Sequence, residues 1–334
     1  MEKEVKVKKG FFTLFALFLG LFLLAGISSA QKYPGKAVEF IAPANPGGGW
    51  DLTCRSSAKV LQEAKIVPVP ITVVNKPGGF GAVVWNDFVR NQRKNEHTLA
   101  AFSSVLTTQL ALKNIKGTYK DIAPIASLFV DYGVIAVRKG SPHKTLKDLL
   151  TAMKQNPAEA SVAGSSPPGA LDHIKLCLMA QSFAIAPKDI RYVAFQGGAD
   201  ALASLLGGHV AAFVGDAGEI AAHSEAGTVV PLATLSPQRL HGIYKNTPTA
   251  KEAGVDVVSG NWRGFYAPPE VPKTVIAYWE DALGKMVKDP GWKKVLEQNA
   301  WIDLYLTGDK LNAMLTKELA DYEKILKDLG MVKQ

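Results

Sequence analysis

Cysteine is nearly absent from this chain, and the motifs of metal and nucleophile chemistry are missing altogether. Only Cys54 and Cys177 occur in 334 residues. Cys54 falls with Ala58 and Leu61 at helical i, i+4, i+7 spacing, and Cys177 lies in the apolar run Leu176-Cys177-Leu178-Met179-Ala180. Both read as small buried hydrophobes rather than as a disulfide. The six histidines (His97, His143, His173, His209, His223, His241) are scattered, with no H-E-x-x-H and no C-x-x-C, so no metal site is expected. No serine sits in a nucleophile elbow, because Gly164 and Ser166 are followed by Pro168 where G-x-S-x-G needs glycine. Ser56 and Lys59 have S-x-x-K spacing, but they lie mid-helix and lack a companion K-T-G. There is no arginine-rich block with interleaved aromatics, which argues against nucleic acid as a partner. No cofactor fingerprint is complete either: Gly79-x-Gly81 is followed by Val84 where a dinucleotide loop needs glycine.

What is present begins with a leader. Lys3, Lys6, Lys8 and Lys9 precede an uncharged stretch from Phe11 to Ile27, which ends in Ser28-Ser29-Ala30. A basic start, an apolar middle and a small-x-small exit describe a secretory signal peptide over residues 1–30, cleaved after Ala30, and therefore an exported protein. The rival is an uncleaved anchor, for which 17 apolar residues is short. No cysteine follows the apolar run to carry a lipid. The rest is long enough for two domains. Its net positive charge, +8 for the whole chain, helps to attract an anion.

Downstream, apolar β-type runs alternate with helical stretches. Strands are expected at 37–42, 69–74, 98–102, 130–137, 160–163, 192–195, 210–214, 229–234 and 265–267. Helices are expected at 52–65, 82–90, 145–154, 171–183 and 199–206, with a helical tail over 274–333. Strands apolar on both faces point to parallel sheet covered by helices on both sides, in two α/β lobes.

In such sheets ligands bind where strand ends meet helix starts. Asn45-Pro46-Gly47-Gly48-Gly49-Trp50-Asp51 is the most unusual of these turns. Three glycines let backbone amides approach an anion, and Asp51 can cap the helix that follows. Asn75-Lys76-Pro77-Gly78-Gly79-Phe80-Gly81 is a second glycine turn. Ser103-Ser104 and Gly164-Ser165-Ser166 place hydroxyls at strand ends, where they can donate to a carboxylate. Gln196-Gly197-Gly198 and Gly215-Asp216 complete the series. Arg55 and Arg263 are candidate carboxylate partners, and His173 is a candidate to face the cleft.

Taken in order, these segments resemble the substrate-binding proteins of tripartite tricarboxylate transporters, the Bug-type receptors. The likeness runs through Tyr33-Pro34-Gly35-Lys36, Pro43 to Asp51 with Arg55, Val73 to Gly81, Gly164-Ser165, His173, Gln196 to Ala199, Leu205 to Gly208, Asp216, Thr247 to Gly254, Trp262 and Ala267-Pro268-Pro269. The resemblance implies a type II periplasmic-binding-protein fold, two α/β lobes with a hinge and a central ligand cleft. Lobe 1 would be 31–128 plus 236–334 and lobe 2 would be 129–235, hinged near 130–137 and 229–234. It implies ligand-binding positions at Gly47, Gly48, Asp51, Gly79, Ser103, Ser104, Ser165, Gln196, Gly197, Gly198 and Asp216; the reading of the turns adds Gly49 and Ser166. It further implies a small carboxylate ligand, citrate-like for a loop reading Gly-Gly-Gly-Trp-Asp, and delivery by a monomer to a large and a small membrane subunit. Ser166-Pro167-Pro168-Gly169 departs from the family's glycine-rich loop, and Asp172 adds a negative charge close to an expected anion site. A ligand-sensing subunit of the same fold and a secreted carboxylate-ester hydrolase are the alternatives.

Overall fold

The computed structural model describes residues 33–331. The expected signal peptide, residues 1–30, lies outside the described residues. From Lys36 onward the chain is one compact unit.

Strands β1 (Val38–Ala42), β2 (Ile71–Asn75) and β3 (Thr98–Ser103) pair in parallel in the order β2-β1-β3. Helices α1 (Gly49–Glu63), α2 (Ala82–Arg90) and α3 (Ser104–Ala111) follow them in turn. A second parallel group is built from β5 (Val162–Gly164), β6 (Tyr192–Ala194) and β7 (Ala212–Asp216), in the order β7-β5-β6. Its helices are α4 (Leu146–Gln155) before β5, then α5 (Leu171–Gln181), α6 (Gly198–Leu206) and α7 (Ala217–Glu225).

β4 (Ala123–Arg138) joins the two groups. Residues 123–132 pair antiparallel with β9 (Gly260–Ala267), and β10 (Ile302–Thr307) lies against the same stretch of β4. From Gly133 onward β4 pairs antiparallel with β7 and with β8 (Val229–Thr234). The sheet is therefore mixed, which corrects the expectation of parallel pairing alone. Apolar runs record that a strand is buried on both faces, not the direction in which it runs. β4 is the strand that runs through both halves; β9 pairs antiparallel with its first part and β8 with its second.

The tail is corrected as well. It is not helical throughout, because α8 (Lys273–Met286) and α9 (Pro290–Asn299) give way to β10 before α10 (Gly308–Asp328). Ala300 stops α9 in the left-handed region, φ +55°. In β10, Leu304 and Leu306 alternate with polar neighbours and pack on the core of the first half.

Each half has its own apolar core. One gathers Trp85, Phe88, Phe102, Trp262 and Tyr266; the other gathers Leu149, Met153, Leu176 and Val214. Behind them Phe129 stacks on Trp301 at 3.8 Å, which ties the end of α9 to the crossing strand. Cys54 and Cys177 are both free and buried. The Cys54 thiol reaches the Ile41 carbonyl at 3.5 Å.

Candidate functional site

The helices of interest start directly at strand ends, and two of those starts confront each other. Gly48 is the N-cap of α1 and Gly197 the N-cap of α6, and neither N-cap residue has a side chain to cap its helix. A Cβ on Gly48 would stand only 3.9 Å from the Gly197 Cα. The amides and dipoles of both helix starts therefore look into one space. That space is a chamber of about 30 Å³. Of the residues anticipated from the sequence, Gly48, Gly49, Ser165, Gln196, Gly197 and Gly198 line it, joined by Trp50, Phe80, Glu219, Asn261 and Arg263.

The remaining expected residues do not line the chamber; they brace its walls. Asp51 is not the helix cap, because α1 starts at Gly49 rather than at 52. Its carboxylate accepts from the Gly47 amide at 2.8 Å, from Arg55 at 2.9 Å and from Asn75 at 2.8 Å. Burial opposes ionisation of Asp51, but these donors outweigh it and hold its pKa below the usual value. Gly47, at φ +81°, lets the chain double back for this. Gly79, at φ +55°, opens the short turn that carries Phe80. Ser103 caps α3 by accepting from the Val105 amide and also accepts from the Trp50 indole at 3.1 Å. Ser104 donates to Glu318 at 2.6 Å. Ser166 accepts from the Asp172 amide at 2.9 Å, fixing the start of α5.

Asp216 is fully withdrawn into a charged cluster. It takes contacts from Lys175 at 2.5 Å, Arg263 at 2.6 Å and Asn261 at 2.5 Å. Burial would raise its pKa, and Lys175 and Arg263 reverse that. Lys175 also reaches Asp172 at 2.9 Å. The negative charge that Asp172 brings is thus neutralised inside the fold, and its carboxylate holds the Ser165 amide and hydroxyl. Beside them, Asp131 accepts from the Gly218 amide and the Trp301 indole. Burial and then Asp216 push Asp131 up to about 8. Glu219 closes the group: its Oε1 accepts from the Gly49 amide at 3.1 Å across the cleft and its Oε2 from the Asp216 amide at 3.3 Å. Burial and the neighbouring Asp216 push Glu219 up to about 7.

His173 is partly turned inward: its Nδ1 accepts from the Gly169 amide at 2.9 Å and its ring packs on Tyr192. Burial holds its pKa below the usual value. It stiffens the Pro167-Pro168 loop. Of the two arginines, Arg55 is half exposed and paired with Asp51, whereas Arg263 is buried in the chamber wall. Sequence reasoning missed Glu219, Asn261, Lys175 and Asp131. Two spacings held a signal: Asp172-x-x-Lys175 shares one helical face, and Asn261-x-Arg263 shares one strand face.

Two α/β halves that share the strand β4 and bring glycine-rich helix starts together over a small chamber define a solute-binding protein of the periplasmic type. Residues 55–331 match the family model described as "Tripartite tricarboxylate transporter family receptor". The chain belongs to that family, and it is a binding protein, not an enzyme. It is 24% identical to Protein BugT of Bordetella pertussis over 93% of this chain and 96% of that protein. Among solved structures, it is similar to the periplasmic binding protein BugD, at TM-score 0.82 and 23% identity over 90% of this chain and 100% of that one. The structure of R. palustris Rpa4515 with adipate is similar too, at TM-score 0.82 and 20% identity over 90% and 99%.

Proposed function

We propose that this protein is the exported receptor of a tripartite tricarboxylate transporter, and that it holds a small carboxylate between the starts of α1 and α6. The observation that carries the reading is the confrontation of Gly48-Gly49 with Gly197-Gly198, two helix starts whose N-cap glycines have no side chain to cap them, with Arg263 in the wall and Glu219 on the Gly49 amide where a solute carboxylate would replace it. Amide donors, helix dipoles and a guanidinium together suit a carboxylate.

Residues 1–30 direct export to the periplasm. Lobe 1 is 31–128 plus 236–334 and lobe 2 is 129–235, and they part and close about β4 and β8. The change of pairing partner along β4 between Tyr132 and Gly133 supports this hinge. Closure brings Ser165 and Gln196-Gly197-Gly198 onto a solute resting on Gly48 and Gly49. The monomer then delivers the solute to the large and small membrane subunits. Adipate in the similar Rpa4515 structure supports the carboxylate class. Within that class the resemblance of the Gly-Gly-Gly-Trp-Asp loop to the tricarboxylate branch of the family favours compact di- and tricarboxylates of the citrate kind.

A thermal-shift screen across mono-, di- and tricarboxylates, amino acids and aromatic acids tests the reading, since a ligand that binds only the folded chain raises its melting temperature. Calorimetry on Gly48→Phe then tests the seat. A Cβ at Gly48 meets nothing closer than 3.4 Å, and a ring much larger than the chamber of about 30 Å³ must hold the two helix starts apart and take the place of the solute, so binding is lost. Unaltered binding by this variant would move the site elsewhere.

A further inference from the structure

A second and much larger space adjoins the chamber. It measures about 750 Å³ and lies between the start of α1, the helices α6 and α7 and the end of α9. Gly47, Leu52, Leu202, Leu206, Ala222 and Ile243 give its character, and Glu219 lines both this pocket and the chamber. Gly47 of the pocket precedes Gly48 of the chamber in the same loop, so the two spaces share a wall made of that loop and the Glu219 side chain.

The two spaces differ in size and chemistry. About 30 Å³ is room for one water molecule, whereas about 750 Å³ falls in the range of small-molecule sites. The chamber offers amides and Arg263. The pocket offers aliphatic side chains, and its charged residues, Glu219, Glu225 and Glu297, are all acidic; no lysine or arginine lines it among the described residues. A second carboxylate placed there meets like charge, while an uncharged hydrocarbon body gains by leaving water.

We propose that the pocket is the second half of the solute site and takes the apolar body of a monocarboxylate whose head rests on the amides of Gly48 and Gly49. The proposal rests on the carboxylate seat described above and extends its solutes from compact di- and tricarboxylates to acids with an aliphatic or aromatic body. A solute that spans both spaces displaces the Glu219 carboxylate from the Gly49 amide and competes with the Asn45 carbonyl, which accepts from the Gly48 amide at 3.2 Å. Of the two contacts that hold that carboxylate, the one to the Asp216 amide is long at 3.3 Å and the one to the Gly49 amide, at 3.1 Å, is at the upper end of the ordinary range. Burial and Asp216 already favour the protonated form of Glu219, so it can swing aside without carrying charge into an apolar wall.

The experiment is calorimetry on the full mature protein with acetate, butyrate, hexanoate and octanoate, with succinate and adipate alongside. Each methylene buried in the pocket should tighten binding roughly fourfold until the pocket is filled. Ala222→Trp and Ala203→Trp place an indole in the pocket from exposed helix positions outside the chamber. Both variants should lose the chain-length gain and keep the affinity of the wild type for acetate and succinate. Affinity that stays flat or falls from butyrate to octanoate overturns the proposal, as does an undiminished gain in both tryptophan variants. If succinate or adipate binds in those cases, the carboxylate seat stands and only the pocket is refuted. If no acid in the series binds, the seat itself is wrong.

Discussion

Gly49 and Arg263 compete for one volume: a Cβ on Gly49 would lie 2.1 Å from Nη2 of Arg263 and 2.3 Å from its Cζ. Backbone freedom is not the reason for this glycine, since its position in the first turn of α1 is ordinary helix. The reason is that the guanidinium lies against the helix start, with the same Nη2 donating to Asp216 at 2.6 Å. Gly49→Ala must therefore push a buried ion pair apart. It should cost about 1–3 kcal/mol by overpacking and weaken carboxylate binding as well. Gly48→Ala, whose nearest neighbour would be 3.4 Å away, should leave stability nearly unchanged. Urea unfolding of the two variants side by side checks the contrast.

Lys175 is the second point at which the site depends on its support. It is completely buried and serves Asp172 and Asp216 together. Burial alone would lower its pKa, and the two carboxylates raise it instead. Lys175→Met leaves Asp172 buried without a cation and Asp216 with Arg263 alone, and should cost about 3–5 kcal/mol. Adding Asp172→Asn should recover part of that loss. Denaturant midpoints of the single and double variants measure it; a double variant no better than the single one would mean that Asp172 does not depend on Lys175.

Much of this arrangement was legible before any fold was known, and the exceptions share a cause. The glycine turns at Gly47–Gly49 and Gln196–Gly198 announced themselves by composition, because close backbone approach demands glycine in a way that sequence displays. Serines and aspartates are used for too many purposes to be so transparent. Ser103, Ser166 and Asp216 sit at the expected strand ends, yet they cap α3, fix α5 and carry the charged cluster. The same holds for Glu219 and Asn261, which reach the chamber from different elements of the fold. Only the antiparallel return through β9 and β4 brings them together, and strand direction leaves no mark in an apolar run.

Closure across the cleft can be measured at Asn45 and Asp200. The Asn45 Nδ2 donates to the Asp200 carboxylate at 2.7 Å, linking the glycine loop to the first turn of α6. The contact is exposed, so a double-mutant cycle of Asn45→Ala and Asp200→Ala should give a coupling of no more than about 1 kcal/mol. If the halves close as proposed, that coupling appears in solute affinity and much less in unfolding free energy. A cycle showing coupling in unfolding alone would argue for halves that are fixed relative to each other.

The acid cluster sets a pH dependence whose sign can be stated. Asp131 and Glu219 have ordinary values of 3.8 and 4.5 and are pushed up to about 8 and about 7 in the fold. A carboxyl group raised in this way contributes stability that is complete below its unfolded value and is lost as pH rises through the folded one. Asp216 and Asp51 are held low and act in the opposite sense, losing their contribution only as the solution becomes strongly acidic. The melting temperature should therefore be highest on the mildly acidic side and decline from about pH 5 to pH 8. Glu219→Gln keeps the shape of the side chain and removes its titration. It should flatten the part of the decline up to about pH 7, a difference of roughly 1–2 kcal/mol. The same substitution should weaken the pH dependence of solute binding, because the Gly49 amide would no longer be contested by a carboxylate that ionises over this range. A scan of melting temperature against pH for both proteins, with and without a bound acid, decides it; parallel curves would remove Glu219 from the cluster that governs the decline.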